Sequence, residues 1–177
     1  MASFKDRMIR AAKLDVSLYE EVEADTTAMG QAMGVVALSS VAAGIGSAAS
    51  VGPGGILTGT VAALAGWFVW AYLTYLVGTK ILPEPHTESN MGELLRTTGF
   101  SSSPGLIRIL GIIPGLAGVA FFAAGVWMLV TMVVAVRQAL DYKSTGRAVG
   151  VCAIGWLVQA LILVTLFYFT DRLGKPM

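Results

Sequence analysis

Few side chains in this chain are equipped for chemistry, and their spacing does not bring them together. His86 is the only histidine and Cys152 the only cysteine. With no second imidazole or thiol near it, His86 reads as a loop histidine rather than a metal ligand. No Ser/His/Asp or Cys/His set can be assembled around it. Cys152 sits in an apolar run, where a thiol is buried and inert, and a lone cysteine forms no internal disulfide. Gly44-Ile45-Gly46 is a weak partial match to a phosphate loop, inside a hydrophobic segment. The run Glu20-Glu21-Val22-Glu23-Ala24-Asp25 is rich enough in oxygen to attract a hard cation. Its place just ahead of Thr26-Thr27 suits the positive end of a helix dipole better. These residues predict no catalytic group, no metal site and no cofactor, so the chain is expected not to be an enzyme.

The remaining candidates are charges in polar segments. Arg96, Arg108, Arg137, Asp141, Arg147 and the acidic run at 20–25 are expected to meet on one face, with Arg96, Arg137, Asp141 and Arg147 as the partner-binding residues. There they either bond loops to one another and to lipid headgroups or form a docking face for a protein partner. Arg137 and Asp141 are four residues apart and would pair on one helix face, worth about 0.3–0.5 kcal/mol when exposed. Arg108 lies one turn inside an apolar segment and is expected to snorkel to the interface. No Asp, Glu, His or Lys falls in the middle of any apolar segment, so a proton relay or ion-coupled carrier lacks its usual residues. A net charge of +1 argues against a nucleic-acid partner.

The elements that position these charges follow from hydropathy. Of the 177 residues, 55% are hydrophobic and 13% charged, more apolar surface than a soluble domain of this size can hide. Residues 26–79 hold no charge and no histidine over 54 positions, enough for two helical crossings of about 20 residues each. Gly52-Pro53-Gly54-Gly55 predicts the turn between them, giving spans over 27–51 and 56–78. Residues 1–26 form a charged amphipathic helix, either interfacial or docked on the protein itself. Residues 79–104 are a polar loop broken by Pro83 and Pro85. Asn90 or Ser89 caps a short surface helix there, with Glu93 in its first turn. Ser103 and Pro104 mark a further helix start.

Residues 105–140 are long for one span and short for two, with Gly111, Pro114, Gly115 and Gly118 breaking the first part. One reading is a tight hairpin, 105–117 and 119–139; the other is a half-helix over 105–113 followed by one full span. Charge favours the hairpin. Lys80, Arg96, Arg137, Lys143 and Arg147 place the N-terminus, the 79–104 loop and the 140–147 linker on one cytoplasmic side only if the chain enters and returns. The expected fold is therefore one all-α membrane domain, residues 1–177, with five spans, the third and fourth short and broken at Pro114. The last covers 148–170 and leaves the C-terminus on the far side. Small residues, Gly30 and Gly34 in the first span and Gly111 and Gly115 at the break, are expected to let helices approach closely. Trp67 and Trp70 sit too deep for an interface and are expected to face protein.

The ordered series Leu94-Leu95-Arg96-Thr97-Thr98-Gly99-Phe100, Ser103-Pro104-Gly105, Pro114, Trp127, Ala135-Val136-Arg137-Gln138-Ala139-Leu140-Asp141 and Ser144-Thr145-Gly146-Arg147-Ala148 resembles prokaryotic members of the Yip family. These are membrane proteins named for interaction with Ypt and Rab GTPases. The resemblance covers about residues 9–170 and implies five spans with a cytoplasmic N-terminus. Eukaryotic members act in vesicle trafficking and membrane shaping and associate with one another. Their Asp-Leu-Tyr-Gly-Pro signature is absent here. Val51-Gly52-Pro53-Gly54 is its nearest counterpart and stands elsewhere in the chain, so GTPase binding does not carry over.

The expected function is association in the bilayer, as a scaffold, an accessory subunit of a membrane complex or a membrane organiser. The expected place is the inner membrane of a bacterium, with partners among the lipid bilayer, further copies of the chain or a larger complex. The alternative is permeation of a small molecule, lipid or ion along backbone freed at the 111–118 break.

Overall fold

Short polar residues start each of the early helices. In this computed structural model, which describes residues 3–173 apart from the side chains of 48–53, 163, 166, 167 and 169–173, Ser3 accepts from the Asp6 amide at 3.1 Å and starts α1, Phe4–Ala12. Asp15 accepts from the Ser17 amide at 3.0 Å and starts α2, Val16–Ala24. Leu14, at φ 62°, turns the chain between them. The single amphipathic helix expected over 1–26 is therefore a helical hairpin. It is docked on its own protein, with Ala11, Leu18, Tyr19 and Val22 fully buried. Asp25 then caps a one-turn 3-10 helix, Thr26–Ala28, that feeds α3, Met29–Gly46.

The chain reverses at Ser47, and α4 runs over Ala48–Leu76. The expected turn at Gly52-Pro53-Gly54-Gly55 is instead helical. The reversal comes earlier because Gly46 is packed directly against the backbone of a later segment, where a methyl would meet the Arg108 carbonyl. Glycine and proline inside α4 are tolerated, as is usual for helices in lipid. At its other end α4 widens into a π-turn, Val77–Ile81. The Tyr142 hydroxyl sits 2.9 Å from the Gly78 carbonyl and 2.7 Å from that of Leu82. Such widened turns leave carbonyls in need of a donor.

A reciprocal capping box between Asn90 and Glu93 starts α5, Met91–Phe100. This helix does not lie on a surface. Every residue from 94 to 100 is buried, with Leu94 and Leu95 in one core cluster and Phe100 in the other. Gly99 lets α5 lie against Ala32 of α3. The chain continues as a 3-10 segment, Ser103–Ile112, that climbs along α3 from Ser39, which abuts Gly105, to Gly46, which abuts Gly111. It starts at Ser103, one residue earlier than the expected start at Pro104, so that Ser102 rather than Ser103 holds the capping position.

Residues 113–116 turn, with Gly115 at φ +84°, and α6 returns over Ala117–Ala139. At 23 residues α6 is a full-length helix and not a short one. Of the two sequence readings of 105–139, the half-helix followed by one full span describes the local structure. The last helix, α7, is Thr145–Leu173; the end of the chain expected beyond it lies outside the described residues. Among the described residues four helices are long and apolar enough to cross a membrane: Thr26–Gly46, Gly54–Ile81, Ala117–Ala139 and Thr145–Ile162. Leu57, Phe122, Leu157 and Leu161, each at least two-thirds exposed, turn outward from them as a lipid-facing band. The protein is thus an all-helical integral membrane protein. Trp67 and Trp70 face protein as expected, Trp67 donating to Thr98 Oγ1 at 3.1 Å and Trp70 to Met132 Sδ at 3.2 Å.

Candidate loop-face docking site

The α1–α2 hairpin, the 82–90 loop, the start of α5 and the 140–144 turn meet at one end of the helices. Apolar side chains of the hairpin pack against α3, α5 and α6, and polar contacts tie the rim around them. Arg7 is buried and donates to Glu21 Oε1 at 2.9 Å, Asp25 Oδ2 at 2.7 Å and Gln31 Oε1 at 3.0 Å. Arg10 donates to Asp15 at 2.8 Å and Glu21 at 2.6 Å. These bonds hold the acids ionised. Asp15 is drawn down to about 2, first by Arg10 and then by Ser17. Asp25 also falls to about 2, first through the Thr27 hydroxyl and then through Arg7. Two of the four acids in the run, Glu21 and Asp25, are therefore spent on the hairpin and the helix start, while Glu20 and Glu23 are not. Among the described residues no three histidine, cysteine, aspartate or glutamate side chains are arranged to hold a metal.

The four residues expected to bind a partner have different surroundings. Arg96 is 5% exposed. Its Nε donates to the Val22 carbonyl at 2.7 Å and its Nη2 to the Glu23 carbonyl. These belong to the last turn of α2, where helix carbonyls lack partners and a cation meets the negative dipole end. Arg96 is thus a clamp that fastens α5 to α2. Arg137 donates to the Tyr142 and Lys143 carbonyls at 3.1 and 3.2 Å. The expected Arg137–Asp141 pair does not form, because α6 ends at Ala139 and Asp141 lies beyond it at φ 53°. Arg147 is half exposed; it donates to the Pro83 carbonyl at 2.7 Å and lies 3.7 Å from Glu84. Glu84 also accepts from the Lys143 amide at 2.9 Å. Asp141 alone of the four is an exposed charge without a basic partner among the described residues.

Around Asp141 the face turns acidic. Burial first, then Glu93, Glu88 and Glu20, raise its carboxyl above the usual range. Burial first, then Asp141, Glu93 and Glu20, push Glu23 up to about 7, with Arg96 opposing. Glu20 accepts from Gln138 Nε2 at 3.0 Å and ties α2 to α6. Sequence reasoning missed Glu88 and Glu93 as neighbours of Asp141, since they converge only once α5 is folded inward.

The small residues also sort by geometry. Gly111 makes the close contact expected of it, since a methyl there would lie 2.7 Å from the Gly46 carbonyl oxygen. Gly30 has nothing within 4 Å and Gly34 only the Phe4 ring at 3.5 Å. Gly115 serves the left-handed turn after Pro114, with open space around it. Residues 112–119 are exposed at the far end of the helices. Arg108 does not snorkel: its Nη2 donates to Met128 Sδ at 2.7 Å, midway along α6.

No curated protein and no solved structure matches this sequence. The family model described as Yip1 domain matches residues 22–167, most of the chain, from the second hairpin helix into α7, and on that match the protein belongs to the Yip1-domain family.

Proposed function

We propose that this protein is a non-enzymatic membrane protein that works by association, as a scaffold, an accessory subunit or a membrane organiser, and that its docking surface is the loop face. The observation that carries the reading is the state of the charges there. Arg96, Arg137 and Arg147 all bond their own chain's carbonyls, while Asp141 with Glu20, Glu88 and Glu93 remains an acidic patch. The partner is then a segment of basic character, and Arg96 and Arg137 serve by shaping the patch rather than by touching it. Arg147, half exposed, forms the rim.

The reading includes five crossings. Besides the four long helices, α5 and the 3-10 segment together form the third crossing. Ten residues at about 1.5 Å and ten at about 2.0 Å rise roughly 35 Å, enough for a hydrocarbon core of about 30 Å. That path puts residues 1–25, 82–90 and 140–144 on one side. The basic Lys80, Lys143 and Arg147 make that side cytoplasmic, in a bacterial inner membrane.

The test is gentle extraction from the native membrane, mass determination and identification of what comes with the chain, repeated with Asp141→Asn and Glu88→Gln. A second component in fixed ratio, lost in both variants while the protein stays in the membrane, is the expected result. A lone monomer in native extracts would sink the proposal.

A further inference from the structure

The interior of the bundle holds a second charged feature that the loop face does not use. The Arg108 guanidinium lies in a cavity of about 380 Å³ lined by Ser39 and Ser40 of α3, Trp67 of α4, Met128 of α6 and Gln159 of α7. Met128 is the middle residue of α6, about 16 Å from either end at 1.5 Å per residue. The charge is therefore inside the helix bundle, held by a thioether, which is a weak acceptor, and by the Phe121 ring at 6.0 Å. Among the described residues no carboxylate pairs with it. A cation in hydrocarbon without a counter-charge is costly and marks a functional site by default.

A smaller space beside Arg108, lined also by Leu129, Met132 and Trp156, leads into a cavity of about 480 Å³ between α6 and α7. Its walls are Trp70, Leu129, Met132, Cys152, Trp156 and Leu157. One groove thus has a cationic end with hydroxyl and amide groups and an apolar arm of ligand-site size. A hydrated inorganic ion would find no polar lining along that arm. An acyl chain fits it, and a phosphate diester fits the Arg108 end, where a guanidinium can donate two parallel hydrogen bonds.

We propose that the groove binds one anionic phospholipid, its phosphate on Arg108 with Ser39, Ser40 and Gln159 in reach and an acyl chain between α6 and α7. The site is independent of the loop-face partner and stands or falls separately from it. Arg108 supplies the counter-charge, and the groove supplies the shape.

The protein is reconstituted in nanodiscs of equal amounts of phosphatidylglycerol and phosphatidylcholine with identical acyl chains. Native mass spectrometry then counts the lipids retained after release. The wild-type chain is expected to retain phosphatidylglycerol over phosphatidylcholine by about tenfold, the scale of a charge-assisted hydrogen bond. Arg108→Gln is expected to abolish the preference. Ala153→Trp, which fills the apolar arm and leaves Arg108 in place, is expected to lose the retained lipid altogether. Equal retention of the two lipids by the wild type overturns the proposal. A preference that survives Arg108→Gln also overturns it and assigns the lipid to the loop lysines. If Arg108→Gln fails to insert, Ala153→Trp decides: loss of the lipid supports the site and retention overturns it. Equal retention together with saturable quenching of tryptophan emission by bromide would make this a small-anion site instead.

Discussion

Two arginines separate the loop end of the molecule from its interior. Arg96 is almost wholly buried, yet its guanidinium is satisfied by the carbonyls of Val22 and Glu23. Arg108 is partly open to a groove and has a sulfur and an aromatic ring. Burial alone does not tell a structural arginine from a functional one; the partner does. At the loop end the arginines are consumed in holding the fold, and the carboxylates around Asp141 are left over. In the interior a cation is left over, and nothing in the described bundle neutralises it.

Substitution at these two positions should have effects of opposite kind. Arg96→Met orphans two carbonyls at the end of α2 and frees the hairpin from α5, and is expected to cost about 3 kcal/mol. Arg108→Leu removes a desolvated charge with poor acceptors, and in detergent free of anionic lipid it is expected to be neutral or stabilising. Thermal unfolding of the two variants under one condition measures both. If Arg108→Leu costs as much as Arg96→Met, the interior arginine is structural and the contrast fails.

A smaller effect sharpens the loop end by pH. Glu23 has an ordinary value of 4.5 and is pushed up to about 7 when folded, so between these values the folded state binds more protons than the unfolded. Its contribution to stability is full below about 4.5 and is lost as pH rises through about 7. Asp15 and Asp25, drawn from 3.8 to about 2, act in the other direction and lose their contribution only as pH falls through about 2. The two windows do not overlap. Glu23→Gln is expected to flatten the slope of unfolding temperature against pH between 5 and 7 and to leave the acid limb alone. An unchanged slope would mean that neither burial nor the acidic patch raises Glu23.

Much of this was legible from residue type. The absence of charge over residues 26–79, the Asn90 cap with Glu93 and the inward Trp67 and Trp70 all follow from local chemistry. The inward course of α5 was not. Hydropathy reports contact with lipid, and α5 is surrounded by protein, so Arg96, Thr97 and Thr98 look like loop residues although they are buried. The same blindness affects charge. A sequence shows that Arg96, Arg137 and Arg147 are cations but not that each has its own carbonyl acceptors. It also shows Arg108 a turn inside a segment without showing whether the side chain reaches out or in. The reversal at Ser47 in place of Gly52-Pro53-Gly54-Gly55 has a related cause, because the close approach of Gly46 to the Arg108 backbone is a tertiary fact.

The smallest expected effect isolates the one exposed member of the docking set that has no ion-pair partner among the described residues. Asp141 sits at φ 53°, where a residue with a side chain is strained and glycine is not. Asp141→Gly removes both the strain and the charge, whereas Asp141→Asn removes the charge and keeps a residue that tolerates this conformation. Glycine is expected to stabilise by about 0.5 kcal/mol net of its unfolded-state entropy, and asparagine to leave stability near the wild type. Partner retention should then fall equally in both, because the carboxylate is gone from each. If retention tracks stability instead, falling with neither or only with one, the carboxylate is not a contact and the acidic patch is a by-product of how α2, α5 and α6 meet.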